Sequence, residues 1–266
     1  ANITFLKYKK GMLMGLSRLY SRAIRGINSL EVIVEVHVSK GLPAFMIVGL
    51  PDLGVRESRE RVRSAIQMSG FTFPPHRITV NLAPADVPKD SARYDLPIAL
   101  GILIASGVVT PQSDISKFEI AGELALDGSL RRVNGALAIA YYANINHKGF
   151  ILPSCNSDEA GLIDGISIYP AKSLIQVIKH ITGECPILQR KNGNGIIVQG
   201  YDGSLNLNQV KGQQSAKVAL EVAAAGRHSM LLIGNPGCGK SMLAERITSI
   251  LPMPGVNEAI QTAAIQ

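Results

Sequence analysis

Residues 234 to 241 read Gly-Asn-Pro-Gly-Cys-Gly-Lys-Ser, which fits the spacing G-x-x-x-x-G-K-S/T with Gly234, Gly239, Lys240 and Ser241 in register. The chemistry open to such a run is anion binding, because its glycines let successive backbone N–H groups curl toward one phosphate. In this arrangement the lysine reaches the β- and γ-phosphates of a nucleotide, and the hydroxyl after it ligates magnesium. The implied cofactors are ATP and Mg2+. The candidate binding residues are Gly234, Asn235, Pro236, Gly237, Cys238, Gly239, Lys240, Ser241 and Met242, with Ser241 the candidate metal ligand. A glycine-rich turn can precede a helix by chance, so the flanks matter. The apolar run Ser229-Met230-Leu231-Leu232-Ile233 predicts a strand before the loop, and Met242 to Ile247 predicts a helix after it.

Hydrolysis requires more than a phosphate cradle, since a second acidic residue must hold the magnesium and an attacking water must be oriented. After Ser241 the acids are Glu245 and Glu258, and neither ends an apolar strand. Both read as solvated helix charge. The expectation is a nucleotide-binding domain cut off after its first strand and helix, which binds ATP without turning it over.

Positioning this loop takes a larger frame. The 266 residues, 46% of them hydrophobic, suffice for one full domain and part of a second. The longest apolar stretch, around Leu96 to Val109, is broken by Gly101, Ser106 and Gly107 and falls short of the roughly 20 residues of a membrane span. The basic start with Lys7, Lys9 and Lys10 lacks a signal peptide's apolar core, so a cytoplasmic address and no membrane partner are expected. Cys155, Cys185 and Cys238 are too scattered for a disulfide framework or a zinc site, and the five histidines show no ligand spacing. A formal charge of +7 permits an acidic partner such as nucleic acid, but with no tryptophan and 5% aromatic residues no stacking platform for bases is written here.

Three strands open the chain by pattern: Ser21 to Gly26, Leu30 to Val38 and Ala44 to Leu50. A helix from Val55 to Ser69 follows, with Asp52 as its cap and Gly70 at its end. Further strands are predicted at Arg77 to Ala83, Phe118 to Leu126, Gly149 to Leu152 and Ile166 to Tyr169. Further helices are predicted at Tyr94 to Ser106, Ala136 to Asn146, Glu159 to Ile163 and Ser173 to Thr182. The succession is that of an α/β or α+β domain. The turn-rich stretch Gln189 to Gly195 then reads as linker, and a second domain begins near Leu205.

On these residues the chain resembles the amino-terminal part of the ComM/YifB family of magnesium-chelatase-like AAA+ ATPases. The resemblance rests on Val34 to Pro43 (VEVHVSKGLP), Val48-Gly49-Leu50-Pro51, Asn81 to Asp86 (NLAPAD), Arg93-Tyr94-Asp95-Leu96-Pro97 and Gly122 to Leu126 (GELAL). It continues through Val210-Lys211-Gly212-Gln213 and the glycine loop. It implies a basic extension at 1–13, a ribosomal S5 domain-2-like (Lon-like) domain at 14–184, a linker at 185–204 and the start of a P-loop AAA+ domain at 205–266. It also implies hexameric assembly and ATP-driven remodelling of DNA by the full-length protein in competence and recombination.

The relation to Lon raises a Ser-Lys dyad in which the lysine activates the serine. Pro88-Lys89-Asp90 is present, but Asp95 stands where the serine is expected, and the helix Ala136-Leu137-Ala138-Ile139-Ala140 offers no lysine. A non-peptidase domain is expected, with Ser91 a turn residue. Arg56, Arg59, Arg61 and Arg63 could touch DNA phosphates, but Glu57 and Glu60 among them read as a solvated helix face. Two other readings stay open: a partner-docking module with a weakly occupied loop, and a chelatase motor subunit.

Overall fold

The computed structural model describes residues 15–25, 28–89, 91–190, 205–255, 258–259 and 262. The expected basic extension, residues 191–204 of the expected linker, Gly26 and Asp90 lie outside the described residues. The chain divides into two compact units, Ala1–Gly195 with Gln261–Gln266, and Ile196–Ile260.

In the first unit, β1 (Gly15–Arg25) and β2 (Asn28–Ser39) pair antiparallel along their whole length, Gly15 opposite Val38 and Arg25 opposite Asn28. Alternation builds β2: Val32, Val34, Val36 and Val38 are all buried. β1 starts six residues before the predicted Ser21 because its buried positions include polar residues that hide the pattern. Ser17 is buried by donating to the Gly101 carbonyl at 2.8 Å, and Arg22 by pairing with Glu119 at 2.5 and 2.7 Å. β3 (Ala44–Val48) lies parallel to β4 (Arg77–Ala83), which pairs antiparallel with β2.

Between β3 and β4 runs α1 (Leu53–Met68). Its cap is Asp52, whose side chain accepts the Val55 N–H at 2.7 Å, and it ends before Gly70 at φ +86°. α2 (Asp95–Ala105) is buried almost throughout, as its largely apolar sequence predicts. The predicted strand Phe118 to Leu126 divides in two. β5 (Phe118–Ile120) pairs parallel with β1, while β6 (Glu123–Leu124) pairs with β7 (Leu130–Arg131) in a separate small ribbon. The break has a hydrogen-bonding cause: the Gly122 N–H goes to the Arg93 carbonyl at 2.9 Å, and the Gly122 carbonyl accepts from Leu96 N–H at 3.0 Å.

The remainder alternates as α3 (Ala136–Ile145), β8 (Gly149–Pro153), α4 (Ser157–Ala160), β9 (Ile168–Ala171) and α5 (Leu174–Ile181). β5, β8 and β9 are parallel, and the seven-stranded order is β3-β4-β2-β1-β5-β8-β9. The architecture is the expected α/β class with a mostly parallel sheet. No helix among the described residues is long and apolar enough to cross a membrane.

The second unit contains α6 (Gln214–Gly226) and α7 (Lys240–Glu245), the latter running into a 3₁₀ turn at Arg246–Ser249. Leu207, Val210, Leu220 and Leu243 form its core, with Met230, Leu232, Ile247 and Ile250 packed against them. The predicted strand at Ser229 to Ile233 is not formed. Met230 and Leu232 face the core while Leu231 and Ile233 are 80% and 86% exposed, so the alternation of a strand is present. A strand also needs a neighbour to complete its backbone bonds, and among the described residues of this unit none runs beside it.

Candidate phosphate-binding loop

The loop turns at Pro236-Gly237 and closes at Gly239. Gly237 and Gly239 hold φ of +81° and +85°, a conformation that disfavours side chains and accounts for glycine at both places. A Cβ at Gly234 would lie 2.9 Å from the Cys238 sulfur, so the thiol packs where only glycine leaves room. The Asn235 carbonyl accepts the Cys238 N–H at 3.4 Å, and the Gly239 carbonyl accepts the Leu243 N–H at 3.0 Å as the helix begins. Lys240 opens α7 with its amine folded back over the loop. It donates to the carbonyls of Gly234 and Asn235 at 2.8 Å each and lies 3.6 Å from the Cys238 sulfur. Ser241 and Met242 follow on the exposed first turn, and the Met242 carbonyl accepts from Arg246 at 3.0 Å. The nine predicted residues thus run from the glycine turn into the first turn of α7, with the Lys240 amine held by the Gly234 and Asn235 carbonyls. This donor set suits a polyphosphate, and Ser241 suits its magnesium.

One contact reaches the loop from outside the motif, and two more hold the 3₁₀ turn that follows α7. The Gln213 side-chain amide donates to the Cys238 carbonyl at 3.1 Å, Arg246 donates to Gln209 at 3.2 Å, and Leu207 N–H reaches the Ser249 hydroxyl at 3.2 Å. In the sequence Gln213 stands only as a mark of resemblance, whereas in the fold it contacts the Cys238 carbonyl. Its signal was a glycine immediately before it, at the start of a helix. Glu245 is exposed as expected. Glu258 is not simply solvated: it pairs with Arg227 at 2.5 Å and accepts the Gly255 N–H at 3.1 Å, and these bonds hold its carboxyl below the usual range.

In the first unit, the carboxylate at the expected serine position is committed. Asp95 is fully buried; it accepts from Arg61 at 2.7 and 3.2 Å, from Leu124 N–H at 3.2 Å and from the Ser58 hydroxyl. Burial pushes its carboxyl up, against the pull of Arg61, Ser58 and Leu124, while the bond to Asp95 holds the Arg61 guanidinium up. Arg61 therefore leaves the solvated face on which the sequence placed it, and its second nitrogen also donates to the Gly54 carbonyl at 3.0 Å. Arg56, Arg59 and Arg63 are exposed as expected, Arg63 lying 4.9 Å from the Phe73 ring centre. Ser91 caps a 3₁₀ turn at Ala92–Tyr94, accepting from Arg93 N–H at 3.1 Å and from its guanidinium at 2.8 Å. Lys89 is buried and donates to the Pro84 carbonyl, and desolvation lowers its pKa.

Residues 34–156 match the family described as Subunit ChlI of Mg-chelatase, and residues 206–266 match Magnesium chelatase, subunit ChlI. YifB of Escherichia coli (strain K12) is 44% identical over 95% of this chain and 49% of its own length. Competence protein ComM of Haemophilus influenzae is 42% identical over 95% of this chain and 50% of its own. An archaeal Lon protease from Methanothermobacter thermautotrophicus is 46% identical over 46 residues, 17% of this chain. An α/β unit followed by this glycine loop is thus of the magnesium-chelatase-like class. Within that class, the chain belongs to the ComM/YifB family. It spans about half the length of the curated relatives it matches.

Proposed function

We propose that residues 234–242 bind ATP with Mg2+ as part of an AAA+ domain whose full-length protein is an ATP-driven motor. The observation that carries this reading is the Lys240 amine, held at 2.8 Å from two loop carbonyls inside a turn shaped by positive-φ glycines. Lys240 and the loop N–H groups would hold the phosphates, and the Ser241 hydroxyl would hold the magnesium. ATP supplies the phosphoanhydride whose cleavage would drive the whole protein. Titration calorimetry tests the reading: saturable heat with MgATP is expected for this chain and should vanish in Lys240→Ala. No heat at millimolar nucleotide would sink it.

In this reading 14–184 is a Lon-like domain without peptidase activity, 185–204 a linker and 205–266 the opening of the AAA+ domain. The bonds that occupy both oxygens of Asp95 support a structural role for it and no part in peptide cleavage. For the full-length protein we propose a cytoplasmic hexamer that remodels DNA during competence and recombination, supported by the similarity to Competence protein ComM and by the net charge of +7. DNA affinity of the full-length protein should fall steeply and log-linearly with salt, as phosphate contacts require. Affinity indifferent to salt would remove DNA from the proposal.

A further inference from the structure

We propose that Gln213 is a positioning residue for the phosphate loop, its side-chain amide pinning the Cys238 carbonyl and thereby setting the loop's donors. The inference rests on the nucleotide reading above and names a residue outside the loop that the reading does not use. Two successive residues in the left-handed region, Gly212 at φ +70° and Gln213 at φ +60°, carry the chain into α6. That backbone is ordinary for glycine and uncommon for glutamine. Gln213 sits at the cap position of α6, yet its side chain makes no capping bond to that helix. Its amide reaches instead across to the Cys238 carbonyl at 3.1 Å.

The base from which it reaches is fixed. The Gln213 carbonyl accepts the Lys217 N–H at 3.0 Å, the Lys217 amine donates back to the Val210 carbonyl, and Val210 is buried with Leu220 and Leu243 in the unit's core. A trans peptide holds its C=O and the next N–H antiparallel within one plane. Pinning the Cys238 carbonyl therefore fixes the direction of the Gly239 N–H, one of the donors that the loop offers to an anion. The uncommon backbone at Gln213 is the means by which its amide is aimed at the loop.

The test compares Gln213→Ala and Gln213→Glu with the wild-type chain; the glutamate keeps the stem but replaces the amide donor with an acceptor. Calorimetry is run with MgATP and with magnesium tripolyphosphate, which has no base. Both variants are expected to bind both ligands about three- to tenfold more weakly, the usual effect of losing one hydrogen bond. The Gly239 amide resonance of the ligand-free Gln213→Glu chain should also shift, which general loosening elsewhere in the unit would not single out. Unchanged affinity in the variants, or a loss confined to ATP, overturns the inference while leaving the nucleotide reading standing. A wild-type chain that takes up neither ligand overturns both.

Discussion

Arg61 and Asp95 show how one side chain can decide the pH response of a domain. Asp95 has no exposed surface and its carboxyl is pushed up by burial, so between its ordinary value of 3.8 and the raised one the folded chain binds more protons than the unfolded chain. Stability therefore falls as pH rises through that window. Removing Arg61 deletes the largest opposing pull, which moves the folded value higher and extends the window upward. Arg61→Met is expected to cost about 3 kcal/mol near neutral pH, the lower end for breaking a buried pair because Arg61 keeps 21% exposure. The loss should shrink on acidification toward the ordinary carboxylate range. Urea midpoints at pH 5 and pH 8 check this, and an equal loss at both would contradict the assignment. The pair was half legible in the sequence. Ser58, Arg61, Val62 and Ala65 share helical spacing, which places Arg61 beside the buried stripe. What the sequence could not supply was Asp95, more than thirty residues away, whose approach depends on how α2 packs.

That packing is settled at the scale of elements, where one glycine governs the distance between α2 and the sheet. A Cβ at Gly101 would come within 2.5 Å of a Val36 methyl, 3.1 Å of Leu19 and 3.2 Å of the Ser17 hydroxyl. Alanine would favour the helix by about 1 kcal/mol, but overpacking a β-branched core residue costs about 1–3 kcal/mol, so the two terms oppose. The clash with a stiff, fully buried valine should win. Gly101→Ala is expected to lower stability by about 1–2 kcal/mol, read as a fall in the denaturant midpoint at constant slope. At the sheet's other end, His180 on α5 accepts the Ile187 N–H at 3.0 Å through Nδ1 and lies against the rings of Phe118 and Tyr169. Desolvation lowers its pKa below the ordinary 6.5, so it is the unfolded chain that takes up the proton first as pH falls. Stability contributed here is complete above 6.5 and declines below it. His180→Gln keeps an acceptor without a titration, and its melting point should lose less than the wild type between pH 7.5 and 5.5. Periodicity announced most of these elements, because β2, α1 and β4 each bury one regular face. It failed where the polar groups of β1 were buried by distant partners, and where Gly122 bonded to the start of α2 in place of a neighbouring strand.

Across the whole molecule the two units differ sharply in how much they bury. The first has a core that draws on the seven-stranded sheet and the helices α1, α2 and α5, whereas among the described residues of the second the core is the small cluster around Leu207, Val210, Leu220 and Leu243. All the proposed nucleotide contacts lie in the second unit. Its backbone hydrogen bonds are therefore the ones open to stabilisation by ligand. A ligand that binds only the folded state stabilises it by RT ln(1 + [L]/Kd), about 2.7 kcal/mol at a hundredfold excess over Kd. A unit with so small a core has little stability of its own, so this increment is a large fraction of its total. With MgATP at that excess, amide exchange in α6 and α7 is expected to slow by up to about a hundredfold, while exchange in β2, β4 and α2 stays as it was. Hydrogen-exchange mass spectrometry resolves the two sets of peptides. Slowing spread evenly over both units would mean that they open as one cooperative body, and no slowing in α6 and α7 would mean that the loop does not hold the nucleotide. Lys240→Ala supplies the control, since without the amine the loop keeps its glycines but loses the cation that fills it.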